Sequence, residues 1–558
     1  MRRIVCVLFI LLQAEVLSAQ SEEVLQAARY LSGASSDEEA DEFWISRLET
    51  LEGRKIRINA ASVRSEGILS DYLTASLADY RSRSGDILSW EELALVDGFS
   101  QELVAVLKPF LSLESARLPG DTDTVRVRVN SLLRGTLTGL GGKVRGTGSW
   151  WRAGAAWRSS GWPFGRSGDG TFYAEATYRG HRLVLGDFNL RYGQGLAFWS
   201  GFSMPALSTV DAFVRRTTGL SPVWSFSSAS VHRGAAYEYT SVHWRGYAFG
   251  TISGLFGGHA DWLGRYGQTG VTLGWQKEVG WTVSADTRWN IRGTDLAAEI
   301  GFRNGSLGGL ASFRRSFGVF KAAIQGRALP SRFSGKKNGE YALATGVSFQ
   351  SEKWRSLEGV SGFGSSVPVH KASITMDAAL LPIPGTNPRR LQVRFYAGWQ
   401  WQFASAWSLD VRLTERYRNY EKPRTDLRAD VKFSNGRWKA ASRIEAVQCE
   451  AFGFLNYWEA GWAPTAASSG WSSFSAYLRL TGFVIDSWND RIYVYERDAP
   501  GNFSVPAYSG RGAGISAVGS WKHRFSWCTL KAYLRTGWLV RIGRTPTPTL
   551  SLQCHLDL

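Results

Sequence analysis

The chain has 558 residues and a net charge of +17 at pH 7, and it is rich in glycine and tryptophan, with 61 Gly and 25 Trp. Beyond the first 19 residues no run approaches 18 continuous apolar residues, which argues against a transmembrane helix. The cysteines that follow, Cys449, Cys528 and Cys554, are odd in number and cannot all pair within one chain.

Residues 1–19 have the pattern of a secretory signal peptide. Arg2 and Arg3 provide the charged start, and the apolar core from Ile4 to Leu12 is too short to span a membrane. Leu17-Ser18-Ala19 offers a cleavage site of small residues. We therefore expect an exported protein that begins near Gln20.

Residues 20–53 are predicted to form an N-terminal helical segment. Apolar residues recur there every three or four positions, in one stripe from Val24 to Leu31 and another from Trp44 to Leu51. An acidic patch from Asp37 to Glu42 falls near a helix start, where the helix dipole favours negative charge.

Residues 54–113 are predicted to form a compact helical domain. An apolar stripe from Leu69 to Tyr80 indicates its first helix. Ser89 and Glu92 form a capping box that opens a second helix. The remaining breaks and caps are Gly85, Gly98, Ser100 and Pro109.

This domain resembles the tandem helix-hairpin-helix domain, which also occurs in the bacterial competence DNA receptor. The closer resemblance is to outer-membrane proteins that join such a domain to a large β-barrel. The segments that carry the resemblance are Ile58–Ser62, Ile68–Tyr72, Leu77–Arg81, Gly85, Glu92–Leu93, Val96–Phe99 and Leu107–Phe110 in the domain, and Gly186–Leu196 and Arg491–Glu496 further along the chain.

In the DNA-binding hairpins of this family, a Gly-hydrophobic-Gly turn brings the backbone close to a phosphate. The matching turns here, Gly67-Ile68-Leu69 and Gly98-Phe99-Ser100, both lack the second glycine. Residues 20–120 hold ten Lys and Arg against eighteen Asp and Glu, or −8, whereas nonspecific DNA binding relies on positive charge. We therefore expect weak DNA binding or none, and prefer a domain that docks on the barrel mouth or on another envelope protein. The basic residues available for such contacts are Arg64, Arg81, Arg83 and Lys108.

From about residue 120 onward, apolar and polar residues alternate in long runs, such as residues 281–292 and 390–403. These runs exceed the usual strand of about 5–6 residues and match the roughly 9–11 that a tilted strand needs to cross a bilayer. After a linker at 114–123, we expect a mainly β fold over 124–558, a large antiparallel transmembrane β-barrel of about 22 strands with a range of roughly 18–26. The alternative is a large soluble β-sandwich or propeller.

The first strand, near Thr124–Leu133, and the last, Leu550–Leu558, are expected to pair, because an open edge in lipid would leave backbone groups unsatisfied. Residues 121–558 carry +24, which suits anionic lipid, an anionic solute in the lumen, or an acidic partner such as the N-terminal segment itself. A lumen charge ladder, which either lines an anion pathway or fills a closed barrel, is predicted at Arg390, Arg394, Asp410, Arg412, Arg428, Asp430 and Lys432.

No pattern of catalytic or metal-binding residues stands out, so neither an enzyme nor a cofactor is predicted. The predicted function is an outer-membrane channel, transporter or translocation component with its N-terminal domain in the periplasm. The alternatives are a DNA-binding or DNA-uptake protein and a non-conducting scaffold of an envelope complex. Predicted partners are outer-membrane lipid, including lipopolysaccharide, and a periplasmic or envelope protein bound through residues 20–113, with nucleic acid less favoured.

Overall fold

The computed structural model describes residues 21–51, 55–60, 67–115, 127–160, 167–200, 207–229, 231–336, 338–351, 369–383, 390–463 and 472–558. The predicted signal peptide, Arg64 and most of the predicted linker therefore lie outside the described residues. Among the helices of these ranges, none is long and apolar enough to cross a membrane.

The N-terminal domain, residues 21–115, folds around one apolar core that both predicted helical regions share. Val24, Leu48, Leu77 and Leu107, from four different helices, are fully buried in it. Its elements are α1 (Glu22–Ser32), α2 (Glu42–Glu49), β1 (Ile56–Asn59), α3 (Asp71–Ser84), α4 (Trp90–Leu93), α5 (Gln101–Leu107) and β2 (Leu111–Ser115), with 3₁₀ turns at Asp37–Glu39 and Lys108–Phe110.

Two features of this domain differ from the prediction. The helix that Ser89 caps has a single turn, so Gly98 (φ +87°) follows a loop rather than a helix end. The strands β1 and β2 form a parallel pair that the sequence did not indicate. Asn59 is fully buried beside this pair, and its amide donates to the carbonyl oxygens of Ile87 (2.9 Å) and Leu113 (2.8 Å), so it ties the pair to the loop before α4.

A closed antiparallel barrel follows, in which 24 strands of the described chain form the wall, within the predicted range. The last wall strand pairs with the first, from Ser551 with Thr136 to Asp557 with Asn130, which confirms the predicted closure. The first strand begins at Arg128.

The remaining elements are named here in chain order. They are β3 (Arg128–Thr136), β4 (Gly139–Thr147), β5 (Trp151–Ser160), β6 (Ser167–Tyr178), β7 (His181–Arg191), β8 (Gly219–Pro222), β9 (His232–Thr240), β10 (Trp244–Thr251), β11 (Leu255–Gly264), β12 (Gly267–Gln276), β13 (Gly280–Ile291), β14 (Thr294–Arg303), β15 (Ser306–Phe317), β16 (Phe320–Leu329), α6 (Ser331–Ser334), β17 (Glu340–Gln350), β18 (Val369–Leu381), β19 (Arg390–Ala404), β20 (Trp407–Arg418), β21 (Arg424–Ser434), β22 (Trp438–Gln448), β23 (Phe452–Trp462), β24 (Ser472–Ile485), β25 (Ile492–Tyr493), β26 (Ala507–Tyr508), β27 (Gly510–Arg524), β28 (Thr529–Arg541) and β29 (Thr547–Asp557), with 3₁₀ turns at Val210–Phe213 and Trp488–Asp490.

The two faces of the wall have opposite polarity, as the alternation predicts. On β13, Trp281 and Val283 are exposed on the outer face, whereas Thr282, Ser284 and Asp286 are buried on the lumen face. An apolar outer face and a polar lumen are the arrangement of a barrel that spans a bilayer.

Two long connections turn into the lumen rather than outward. The first inward loop (described residues 192–200, 207–229 and 231, including β8) joins β7 to β9, and the second (residues 486–509, including β25 and β26) joins β24 to β27. Both leave the wall at the distal end, defined here as the end opposite the start of β3 and the end of β29. The end with those two termini is called proximal.

The N-terminal domain enters the lumen from the proximal end. Its Tyr72 hydroxyl donates to the carbonyl oxygen of Arg265 (2.8 Å) in the proximal β11–β12 turn, while Glu38 reaches the wall strands β21 and β22 well inside the barrel. Barrels of more than about 20 strands are too wide for their own side chains to fill. Here the N-terminal domain and the two inward loops occupy the space.

Candidate functional site: the occupied lumen

The deepest contact of the N-terminal domain is a buried carboxylate between two wall arginines. Glu38 lies 2.8 Å from Arg428 and 2.6 Å from Arg443, and it accepts a hydrogen bond of 3.0 Å from the backbone N–H of Tyr495 in the second inward loop. Burial alone would raise the pKa of this carboxyl, but Arg428, Arg412 and the Tyr495 N–H outweigh it and lower the pKa to about 2. Glu38 therefore stays ionised and joins the domain to the wall and to the loop.

The acidic patch around Glu38 also neutralises a repulsion within the wall. Arg412 on β20 and Arg428 on β21 stand directly opposite each other in the register, an arrangement that is unfavourable for like charges. Glu38 pairs with Arg428, and the carboxylate of Glu39 lies 3.7 Å from the guanidinium of Arg412. Arg412 also donates a hydrogen bond of 3.1 Å to the Ser35 hydroxyl. The N-terminal domain thus adds negative charge to that of Asp430, which the wall itself places beside Arg428 and Arg443.

A second anchor holds the start of α2 against β7. The guanidinium of Arg191, which is 1% exposed, pairs with Asp41 at 2.8 Å. It also lies 3.8 Å from the ring centroid of Phe43 and 5.2 Å from that of Trp199. A desolvated cation held between two rings and a carboxylate combines cation–π attraction with a charge-assisted hydrogen bond.

Two further anchors hold α3 and α5 at the proximal end. Asp71, at the start of α3, accepts hydrogen bonds from Arg245 and from the Tyr247 hydroxyl, and all three side chains are buried. Glu102, on α5, pairs with Lys321. The acidic residues of the domain therefore meet basic residues on several separate strands of the wall.

The inward loops are fixed to both the wall and the N-terminal domain. The backbone N–H groups of Gln194, Leu196 and Ala197 donate to the buried Glu299 carboxylate on β14 at 2.7, 3.0 and 3.2 Å. The Thr209 hydroxyl donates to the carbonyl oxygen of Gly33 at 2.7 Å. A Cβ at Gly33 would lie 2.6 Å from the Cα of Ala212, so only glycine permits this approach.

Some of the lumen remains open along β12–β24, in three cavities. A proximal cavity of about 800 Å³ lies between α5 and the wall, and a central cavity of about 550 Å³ lies beside α1. Both are lined by Asp211 and Lys371. A distal cavity of about 400 Å³ lies beyond residues 207–215 of the first inward loop, whose Leu207, Ala212 and Arg215 line it. Residues 207–215 therefore separate the distal cavity from the proximal and central cavities.

The residues predicted for hairpin contacts serve mainly internal packing in this structure. Ile68, Leu69 and Phe99 are buried in the domain core, and Ser100 caps α5. Arg81 donates to the carbonyl oxygens of Asn59 (2.8 Å) and Ala60 (2.6 Å). The others lie as follows: Gly67 (φ +75°) near Ser221 of the first inward loop, Gly98 against Tyr72, Arg83 paired with Asp79, and Lys108 near the Trp90 ring. That the domain binds DNA weakly or not at all stays a prediction.

The residues predicted for the charge ladder all lie on the lumen face, but they differ in their contacts. Arg412, Arg428 and Asp430 belong to the network around Glu38, in which Asp430 pairs with both Arg428 and Arg443. Asp410 and Lys432 line the central cavity, Arg394 lines the distal cavity, and Arg390 lies over the Tyr420 ring. A role for the ladder in anion passage stays a prediction.

Sequence reasoning missed three arginines that hold the N-terminal domain, Arg191, Arg245 and Arg443. It also missed Arg416, which was detectable because it continues the alternation that places Asp410 and Arg412 on the lumen face of β20. The anchoring role of the first three depends on which residues face them across the lumen, which no local pattern encodes.

The chain resembles solved outer-membrane barrels only loosely. It superposes on the P pilus usher (PapC) translocation pore with a TM-score of 0.33 and 10% identity, covering 77% of this chain and 98% of that one. For Pseudomonas aeruginosa OccK3 the TM-score is 0.26 at 8% identity, covering 77% and 93%, and for the P. aeruginosa outer-membrane protein OpdK it is 0.28 at 7%, covering 78% and 99%. No protein-family model and no curated protein matches the chain. These superpositions are too loose to transfer a function, which has to be argued from the lumen itself.

Proposed function

We propose that this protein is an outer-membrane channel or translocation component whose lumen is closed by its own N-terminal domain. The observation that carries the proposal is the set of ion pairs between that domain and the lumen wall, centred on Glu38 with Arg428 and Arg443. A wide barrel with an apolar outer face gives a route across a bilayer, and an acidic domain bound in a basic lumen gives a means of closing it.

The chemistry of the closure favours reversible binding over permanent structural filling. The apolar core of the N-terminal domain consists mostly of its own residues, and Tyr495 of the second inward loop packs into it. The contacts of the domain with the wall strands are largely charged, and buried ion pairs gain little over apolar packing because desolvation offsets much of their attraction. A domain that supplies most of its own core and is held to the wall by charge can leave when a competing charge or a partner protein offers an alternative.

The proposed orientation follows from the usual topology of bacterial barrels, in which both chain ends lie on the periplasmic side. The proximal end then faces the periplasm, and the N-terminal domain meets periplasmic partners. The distal end and the entrances of the inward loops face the cell exterior. Protease added to intact cells should spare the domain in this orientation, whereas cleavage without permeabilising the membrane would mean that the topology is inverted.

Single-channel recording in planar bilayers tests the proposal. Full-length protein should pass little current, and protein lacking residues 20–120 should open with a large conductance, because the domain fills much of the lumen. Heat-modifiable migration on gels should confirm that the truncated barrel is folded. A folded, truncated barrel that stays silent would overturn the proposal and favour a non-conducting scaffold.

A further inference from the structure

Two arginines on the lumen face near the distal end stand opposite each other. Arg394 on β19 and Arg416 on β20 are directly paired in the register, which places their Cα atoms roughly 4.5–5.5 Å apart. Like charges in this position destabilise a sheet unless something neutralises them. Both side chains are only half-buried, so they remain accessible from the lumen.

The carboxylates nearby are already engaged by other arginines, and these include Asp377, the register partner of Arg394 on β18, which pairs with Arg327. Within the described residues, neither Arg394 nor Arg416 has a carboxylate oxygen within 4.0 Å. Each of three neighbouring arginines does have one. Arg327 pairs with Glu340 and Asp377, Arg418 with Glu421, and Arg424 with Asp426.

A second pair of facing arginines on the same wall shows how carboxylates neutralise such a pair. Four residues along β20, roughly 13 Å nearer the proximal end, Arg412 stands opposite Arg428 in the same way. There the carboxylates of Glu38 and Glu39 occupy the space in front of the pair. No described residue of the N-terminal domain pairs with Arg394 or Arg416, so the domain neutralises the proximal pair and not the distal one.

The distal cavity provides room for a solute beside Arg394, whose register partner is Arg416. Arg394 lines it, together with the amide side chains of Gln392 and Asn338. Its volume of about 400 Å³ suits a small molecule. Amide groups can hydrogen-bond the uncharged polar parts of such a solute while the guanidinium groups hold its charge.

We propose that Arg394 and Arg416 bind the anionic group, a carboxylate or a phosphate, of a small solute in the distal cavity. The two guanidinium groups donate hydrogen bonds to the anion from adjacent strands, as Arg428 and Arg443 do to Glu38. The inference deepens the proposed function by naming the class of solute, and it rests on that function only for the solute being cargo. Binding itself requires no conduction.

Thermal unfolding of the full-length protein in detergent, with inorganic phosphate or acetate as the probe, tests the site. Matching chloride concentrations control for ionic strength. We expect a saturable rise in Tm with phosphate, with acetate, or with both, and the effective arm identifies the anion. Arg394→Gln and Arg416→Gln should each weaken the apparent affinity by about tenfold or more, because each removes a hydrogen bond to a charged group.

Arg303→Gln is the matched control. Arg303 also lies on the lumen wall, with Thr282 and Ser306 as its register partners rather than a second arginine. Its variant should keep the affinity of the wild type. In anion-free buffer, Arg416→Gln should be at least as stable as the wild type, because both register partners of Arg416, Arg394 and Arg424, are arginines and the change removes their repulsion; this excludes misfolding as the cause of lost binding.

Three results would overturn the inference: no saturable shift in the wild type, an unchanged shift in both arginine variants, or an equal loss in Arg303→Gln. The outcome is separable from that of the conductance test. A silent barrel that still shows the shift would refute the channel and leave the site. A conducting barrel that shows no shift in Tm would support the channel and refute the anion site.

Discussion

The N-terminal domain and the barrel around it bury opposite kinds of side chain. The domain encloses aliphatic and aromatic residues, such as Leu77 and Phe110, and presents its carboxylates outward. The barrel turns its large apolar residues outward and encloses charged ones, among them Asp430 and Arg443. The two meet where acidic residues of the domain face basic residues of the lumen.

This difference separates the forces that fold each part from those that join them. Removing apolar surface from water folds the domain, and this driving force is insensitive to moderate changes in pH. Docking depends on ion pairs, whose strength depends on ionisation and on burial. Variants that affect folding of the domain and spare its docking, or the reverse, are therefore the sharpest tests of this difference.

The largest effect is expected for Glu38→Arg. Removing one partner of a buried pair costs about 3–5 kcal/mol, and a reversed charge adds repulsion with Arg428 and Arg443. The domain should leave the lumen, which should raise both the open-channel current and the rate at which added protease cleaves the domain. Glu23→Arg, the same change at an exposed position of α1, should alter neither. Identical currents and cleavage rates for Glu38→Arg and the wild type would show that these pairs do not hold the domain.

Leu77→Ala tests the folding of the N-terminal domain rather than its docking. Leu77 is fully buried in the core of the domain, and such truncations cost about 2–5 kcal/mol. The helical signal in circular dichroism should melt at a lower temperature, while the β signal of the barrel should not move. Leu95→Ala removes the same group from a side chain that is 78% exposed and should change neither transition. A barrel transition that shifts together with the helical one would mean that the two parts fold as one unit.

The sequence predicted the barrel, its closure and its approximate size because a period of two, sustained over many strands, distinguishes lumen from exterior at each residue. It also predicted the serine caps of α4 and α5, since capping depends on residues three positions apart. The parallel pair of β1 and β2 was missed, because four or five residues carry too little alternation to indicate a strand. The first inward loop was missed for a related reason, because alternation stops there and no local pattern says where such a segment goes.

The candidate site was predictable only in its charge. The imbalance between −8 and +24 indicated that the N-terminal segment suits the lumen. It could not indicate that Glu38, rather than a neighbouring carboxylate, lies between Arg428 and Arg443, because that choice depends on the position of α1 and α2 within the whole lumen. The pairing of Arg394 with Arg416 likewise depends on register, which the turn between β19 and β20 sets.

Docking should weaken in acid through Glu38. Its pKa is about 2 in the docked domain, below the ordinary 4.5, so its contribution is fully present above pH 4.5 and is lost as the pH falls towards 2. The contribution amounts to roughly 3 kcal/mol. Open probability recorded between pH 7 and pH 3 should therefore rise in acid for the wild type. Glu38→Gln, which cannot ionise, should lack this component, and a full acid response in that variant would assign the effect to other groups.

The smallest effect is expected at the exposed pair of Asp97 and Arg265, whose side chains are 43% and 61% exposed and 3.8 Å apart. Exposed pairs contribute about 0–1 kcal/mol, so Asp97→Ala should leave the current and the cleavage of the domain unchanged. Asp71→Ala is the matched variant, because Asp71 lies on the same domain and faces the same wall but is buried with Arg245 and Tyr247. It removes the carboxylate nearest to the buried Arg245, so α3 should separate measurably from the wall. Equal effects of the two substitutions would show that burial does not decide which charges hold the domain, and the contrast between an apolar domain core and a charged lumen would then not account for docking.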